Sequence, residues 1–152
     1  MKKIISILII LCIFGLTGCS DINNFLDNKN SEIDEVSAEV ENFLFLLGND
    51  IESAKIYLHP NFYADKGDFD AFIRDFEQEY GANILDGIAI MERKQACKSS
   101  VYYPSNGYTC LVFEFCYKLV IDTKPMLIYI KLIEDDQGRG IYLFEKYNGQ
   151  MD

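Results

Sequence analysis

Residues 108–121 read YTCLVFEFCYKLVI. Leu111, Phe113, Phe115, Tyr117 and Leu119 alternate with Cys110, Val112, Glu114, Cys116 and Lys118. A period of two is the signature of a strand whose side chains point to opposite faces, and a slip of one residue would exchange those faces. The odd-numbered set holds the large apolar groups, so it is expected to face the core. Downstream, Asp122-Thr123-Lys124-Pro125 turns the chain into Met126 to Glu134, which is apolar on both faces and reads as a central strand. Asp135 to Gly140 (DDQGRG) is a turn by its Gly and Asp content, and Ile141 to Tyr147 is a last strand before a frayed end at residues 148–152. Upstream, Ile84 to Cys97 reads as a strand despite Asp86-Gly87, and Val101 to Tyr108 forms the tip of the hairpin that joins it to residues 108–121.

Before Gly81 the period changes to that of a helix. Ile33, Val36, Val40, Phe43, Leu44 and Leu47 fall on one face, Ser31 and Asp34 can form a capping box, and Gly48 stops this first helix. Asn49 or Asp50 caps a shorter helix with Ile51, Ala54, Tyr57 and Leu58 on its apolar side, closed by His59-Pro60. Asp68 caps a third, whose stripe is Phe69, Phe72, Ile73, Phe76 and Tyr80 and whose end is Gly81. Helices first and an antiparallel meander second define an α+β domain over residues 31–147. Three N-terminal helices are expected to pack on one face of a curved antiparallel sheet of about four strands.

Val40-Glu41-Asn42-Phe43-Leu44, then Asp50 to Pro60, then Phe62, followed by long hairpins, give this chain an element order that resembles the cystatin-like or nuclear-transport-factor-like superfamily. The resemblance implies a pocket between helices and sheet. Several members of that superfamily are enzymes that use a His and an Asp there.

At the start of the chain, Lys2 and Lys3 precede an apolar run from Ile4 to Leu16 broken only by Ser6 and Gly15. The run is shorter than the roughly 20 residues a spanning helix needs and reads as an export signal. Leu16-Thr17-Gly18-Cys19, which closes it, resembles the lipobox of bacterial lipoproteins. The resemblance implies a signal peptide at residues 1–18, a diacylglyceryl thioether on Cys19, and a place in the bacterial cell envelope. The competing reading is an ordinary signal peptide with a chance cysteine. Ser20, rather than Asp, follows the cysteine, and by resemblance to the sorting rule of enteric bacteria this favours the outer membrane, facing the periplasm. Residues 19–30 are short and polar (Ser20 to Asn30, SDINNFLDNKN) and read as a lipidated cysteine with a flexible tether.

Removal of Lys2 and Lys3 leaves 12 of the 14 basic residues against 24 acidic ones, a mature charge of −12. Binding to nucleic acid needs a basic face, and the chain has no basic cluster, so a nucleic-acid partner is disfavoured. An acidic body also repels anionic membrane, so attachment is expected through the lipid alone.

Beyond Cys12 and Cys19, three cysteines remain: Cys97, Cys110 and Cys116. None has CxxC spacing, and His59 is the only histidine, so no metal and no cofactor is expected. In an oxidising compartment the economical reading is one disulfide, Cys97 to Cys116, with Cys110 as a thiol. A two-residue turn at Asn106-Gly107 places Cys97 opposite Cys116, whereas a four-residue loop from Pro104 to Gly107 places it opposite Glu114 with Cys116 diagonal.

Candidate chemistry is sparse. His59, before Pro60, is the one candidate base, but imidazole at a helix end commonly bonds free carbonyls or faces water, so no catalytic residue is assigned. Asp65, Asp68 and Asp70 lack the ordered ligand series of a calcium loop, and capping explains them better. Phe43, Phe62, Phe72, Phe76, Phe113 and Phe115 could line an apolar pocket; at their spacing, plain core is the simpler assignment. Tyr102, Tyr103 and Tyr108 surround a Pro-Ser-Asn-Gly turn, either as cross-strand pairs or as a contact surface for a partner. The sequence thus points to a non-catalytic, lipid-anchored binding domain. Its expected ligand is a protein partner, in an assembly-accessory or inhibitor/immunity-type role. The alternative is a carrier of a small hydrophobic ligand, and the third choice a small pocket enzyme.

Overall fold

A computed structural model describes residues 30–62, 68–103 and 107–148, excluding the side chain of Tyr103. Residues 36–152 form one compact unit; of residues 1–35, those described (30–35) are the opening turns of the first helix. That helix, α1, spans residues 30–47. It has already formed at residue 30, so Ser31 lies inside its first turn rather than before it. Val36, Val40, Phe43, Leu44 and Leu47 are fully buried, the stripe expected from their spacing. Gly48 follows for a reason of space: a Cβ there would stand 2.7 Å from the backbone nitrogen of Ile88.

The second helix is shorter than its sequence suggests. Asp50 caps it, its carboxylate accepting from the Ser53 N–H at 3.2 Å, but α2 covers only Ile51–Ala54 before tightening into a 3₁₀ turn at Lys55–Tyr57. Leu58 then becomes extended and makes a parallel bridge to Ile141, so strand pairing overrides the helical period at this point. The third helix, α3 (Phe69–Tyr80), has the expected bounds: Asp68 accepts from the Ala71 N–H at 2.7 Å, and Gly81 ends it in the left-handed conformation at φ 60°.

Four strands follow, β1 (Ile88–Tyr103), β2 (Tyr108–Ile121), β3 (Lys124–Asp135) and β4 (Gly138–Lys146), in an antiparallel sheet of order β1-β2-β3-β4. The domain is therefore α+β. The first strand starts later than Ile84, because Ile84–Asp86 forms a 3₁₀ turn held by the Asn83 side chain and released at Gly87. It also runs on past Cys97 to Tyr103. Residues Asp122 and Thr123 alone make the β2–β3 turn, both with positive φ, while Lys124 and Pro125 already pair with Ile121 and Val120. Pro125 is tolerated because, among the described residues, β4 pairs with β3 only from Ile128 onward, so none of them calls on the N–H that Pro125 lacks.

One face of the sheet is core. Phe113, Phe115, Tyr117, Leu119 and Ile121 from β2 are buried there, with Ile128, Ile130 and Leu132 from β3 and Phe144 from β4. Phe43 of α1 meets the Phe144 ring edge-on at 6.2 Å, and Phe72 and Phe76 of α3 approach it at 5.8 and 5.5 Å. Tyr117 brings a hydroxyl into this interior, beside buried Ser37. That hydroxyl sits 2.8 Å from Ser37 Oγ, and burial pushes its pKa up to about 12.

Candidate functional site

His59 is buried, and both ring nitrogens are used. Its Nδ1 accepts the Asn61 N–H at 3.1 Å, which leaves Nε2 to donate to Asp135 Oδ1 at 3.0 Å. The His59 N–H bonds Ile141 O at 2.9 Å. These bonds fasten the end of the α2 segment to the β3–β4 hairpin, and the ring shows no surface to a substrate. Asp135 is held below its usual range: burial alone raises its pKa, but the Gln137 N–H and the His59 ring together outweigh that.

The phenylalanines expected around a pocket mostly pack on one another. Phe43, Phe113 and Phe115 are fully buried, and Phe62 meets the Phe69 and Phe72 rings edge-on at 5.5 Å each. Phe72 and Phe76 line a surface cleft of about 230 Å³ with Phe144, and Phe115 contributes to the wall of a separate hollow of about 210 Å³. Of the three aspartates weighed for calcium, Asp68 caps α3 and Asp70 lies 3.1 Å from Lys55 Nζ; Asp65 lies outside the described residues. Among the described residues no group of three or more His, Cys, Asp or Glu side chains could hold a metal ion. No helix among them is long and apolar enough to cross a membrane, and Cys19 lies outside them.

At the hairpin end the pairing of Tyr103 with Tyr108 sets the connection at four residues, three of which (104–106) lie outside the described ones. Tyr102 pairs with Thr109 and so falls on the opposite face from Tyr108. The fold therefore divides the expected tyrosine triad between two faces. Tyr102 is 61 % exposed and its neighbour Val101 43 %.

The expected Cys97–Cys116 disulfide is not formed: Cys97, Cys110 and Cys116 are all thiols. The four-residue connection sets Cys97 across from Glu114 and, in the same unbroken register, Cys116 across from Gln95, so the two cysteines are diagonal neighbours rather than opposite each other. The Cys97 thiol donates to Glu114 Oε2 at 3.6 Å, and the Tyr129 hydroxyl donates to Oε1 of the same carboxylate. Lys131 Nζ stands 3.6 Å away. The Tyr129 hydrogen bond, helped by Cys97 and Lys131 against the cost of burial, holds Glu114 below its usual pKa. Burial pushes the Cys110 and Cys116 thiols up.

A feature that the sequence reading missed runs along the end of β4. The cleft between α3 and β4 is lined by Phe72, Phe76 and Phe144 and rimmed by Asp75, Glu79 and Glu145. It shares Tyr80 and Glu145 with a hollow of about 380 Å³. That hollow in turn shares Tyr129 and Tyr147 with a third, of about 210 Å³, over Glu114 and Cys116. The three hollows thus follow one another along the sheet end, each sharing two lining residues with the next. The tyrosines that line this groove come from α3, β3 and the end of β4, so no local pattern in the sequence brings them together; Tyr80 read simply as the last residue of an apolar stripe. Burial, then the Glu79 and Glu145 carboxylates, push the Tyr80 hydroxyl up to about 12. No protein-family model, curated protein or solved structure matches the chain.

Proposed function

We propose that this protein is a lipid-anchored lipoprotein of the bacterial envelope, cleaved before Cys19, modified on that sulfur and held by residues 19–30 at the periplasmic face of the outer membrane. Its domain, arranged as in the cystatin-like or nuclear-transport-factor-like folds with helices on a curved sheet, binds a protein partner without catalysis or cofactor, as an assembly accessory or an inhibitor. The observation that supports a partner-binding role is a contrast. The aromatic interior is packed tight around Phe43, Phe113 and Phe115, whereas Tyr102 and Val101 stand exposed at the end of a long hairpin. Tyrosine offers a large contact area with few rotatable bonds, so it loses little entropy on docking. Replacing Tyr102, Tyr103 and Tyr108 by Ser should weaken partner capture from native membranes by about 1–4 kcal/mol while the domain stays folded. Full capture by a folded triple variant would remove the hairpin from the reading.

A second reading, a carrier of a small apolar molecule, draws on the Phe72–Phe76–Phe144 cleft. At about 230 Å³ that cleft is smaller than ligand pockets of about 300–1,000 Å³, and its carboxylate rim suits a cation better than a hydrocarbon. Organic extraction of the native protein that yielded a stoichiometric apolar molecule would favour the carrier.

A further inference from the structure

The groove at the end of β4 combines two features that select the same chemical group. Its walls are aromatic: Phe72, Phe76 and Tyr80 from α3, and Tyr129 and Tyr147 farther along. Its lining also includes Asp75 and Glu79, one turn apart on α3, and Glu145 of β4. Among the described residues neither Asp75 nor Glu145 has an ion-pair partner. Aromatic faces attract cations through their quadrupole, and nearby carboxylates add Coulomb attraction. The chain itself already places an ammonium group at this spot: Lys146 Nζ lies 5.1 Å from the centroid of the Tyr80 ring.

We propose that the groove binds an extended basic segment of a protein partner, with lysine or arginine side chains seated on Tyr80 between Glu79 and Glu145. Three hollows in succession along the sheet end, sharing Tyr80 and Glu145 and then Tyr129 and Tyr147, suit a peptide strand rather than a single compact ligand. The acidity of the chain supports the same partner, since a net charge of −10 over all 152 residues, −12 without Lys2 and Lys3, steers a basic one toward it. Arginine suits the site especially, because its flat guanidinium stacks on an aromatic ring while its edge meets a carboxylate. This inference rests on the reading of the protein as a partner-binding module but uses a surface distinct from the hairpin tip.

The test is fluorescence anisotropy of the full chain in detergent with a labelled peptide alternating lysine and alanine, and with its lysine-acetylated form. The expected result is saturable binding of the basic peptide and none of the acetylated one. The double variant Glu79→Gln, Glu145→Gln should weaken binding about tenfold, as expected for two lost charge contacts on a partly desolvated aromatic surface. The control Glu92→Gln, Asp136→Asn removes the same charge at positions that do not line the groove and should change little. An equal loss in both double variants would make the effect one of overall acidity and overturn the site. Displacement of the peptide by spermidine at equal concentration would overturn the peptide assignment in favour of small amines. Thermal unfolding of each variant confirms that it is folded. The peptide reports on the groove alone, so a failure here leaves partner capture through Tyr102 to be judged separately.

Discussion

Position 140 leaves no room for a methyl group: a Cβ on Gly140 would stand 2.6 Å from His59 N and 2.7 Å from the Leu58 carbonyl carbon. Both contacts are backbone, which cannot swing away as a side chain could. Gly140→Ala should therefore destabilise the domain by about 1–3 kcal/mol in urea unfolding, the range for forced overpacking. Wild-type stability in that variant would mean that the Leu58–Ile141 bridge is not formed. Asp135 lies on the other side of the same latch, and its pH dependence has a definite sign. The folded state holds its pKa below the ordinary 3.8, so the stability it contributes is complete above that value and is lost as pH falls through the lowered one. Asp135→Asn should thus unfold at lower urea than wild type at neutral pH, and the gap should close in acid. A gap that stayed constant with pH would show that the carboxylate charge is not what the latch uses. In the sequence, His59-Pro60 read as a helix stop and His59 as a candidate base, and its latch role was not legible because its partners in the β3–β4 hairpin are far along the chain.

Among the elements, β2 was legible because its large residues fall strictly on odd positions, and α3 because cap, stripe and terminal glycine all agree. Where the reading slipped, a longer-range pairing took over a local period: Leu58 leaves its helical pattern to meet Ile141, and Ile84 turns instead of extending. The α3 cap is open to direct measurement. Asp68→Ala should cost about 0.5–2 kcal/mol, and Asp68→Ser should recover most of it. The β1–β2 hairpin is tested by its thiols. With Tyr103 opposite Tyr108, all three cysteines should be found as thiols by alkylation mass mapping without reductant. Half-buried Cys97 should react in the native state, while Cys110 and Cys116, buried and with raised pKa values, should react only on unfolding. A Cys97–Cys116 bridge in that map would contradict the free thiols, since the four-residue connection leaves the two cysteines as diagonal neighbours.

At the scale of the whole molecule, the sequence spoke through its first 19 residues about location and through its charge about what it avoids. It said little about contact surfaces, because the groove draws Tyr80, Tyr129 and Tyr147 from three separate elements. Location and contact are coupled in the proposed function, since the proposed lipid at Cys19 would confine the exposed hairpin and the acidic groove to the envelope, where the proposed partner would be met. Photo-crosslinking in intact cells, from a benzoylphenylalanine placed at position 102, tests that coupling most directly. The account predicts a discrete adduct between this chain and one partner, lost when Cys19→Ser removes the anchor. No adduct from position 102, or one that persists unchanged in the Cys19→Ser chain, would contradict it.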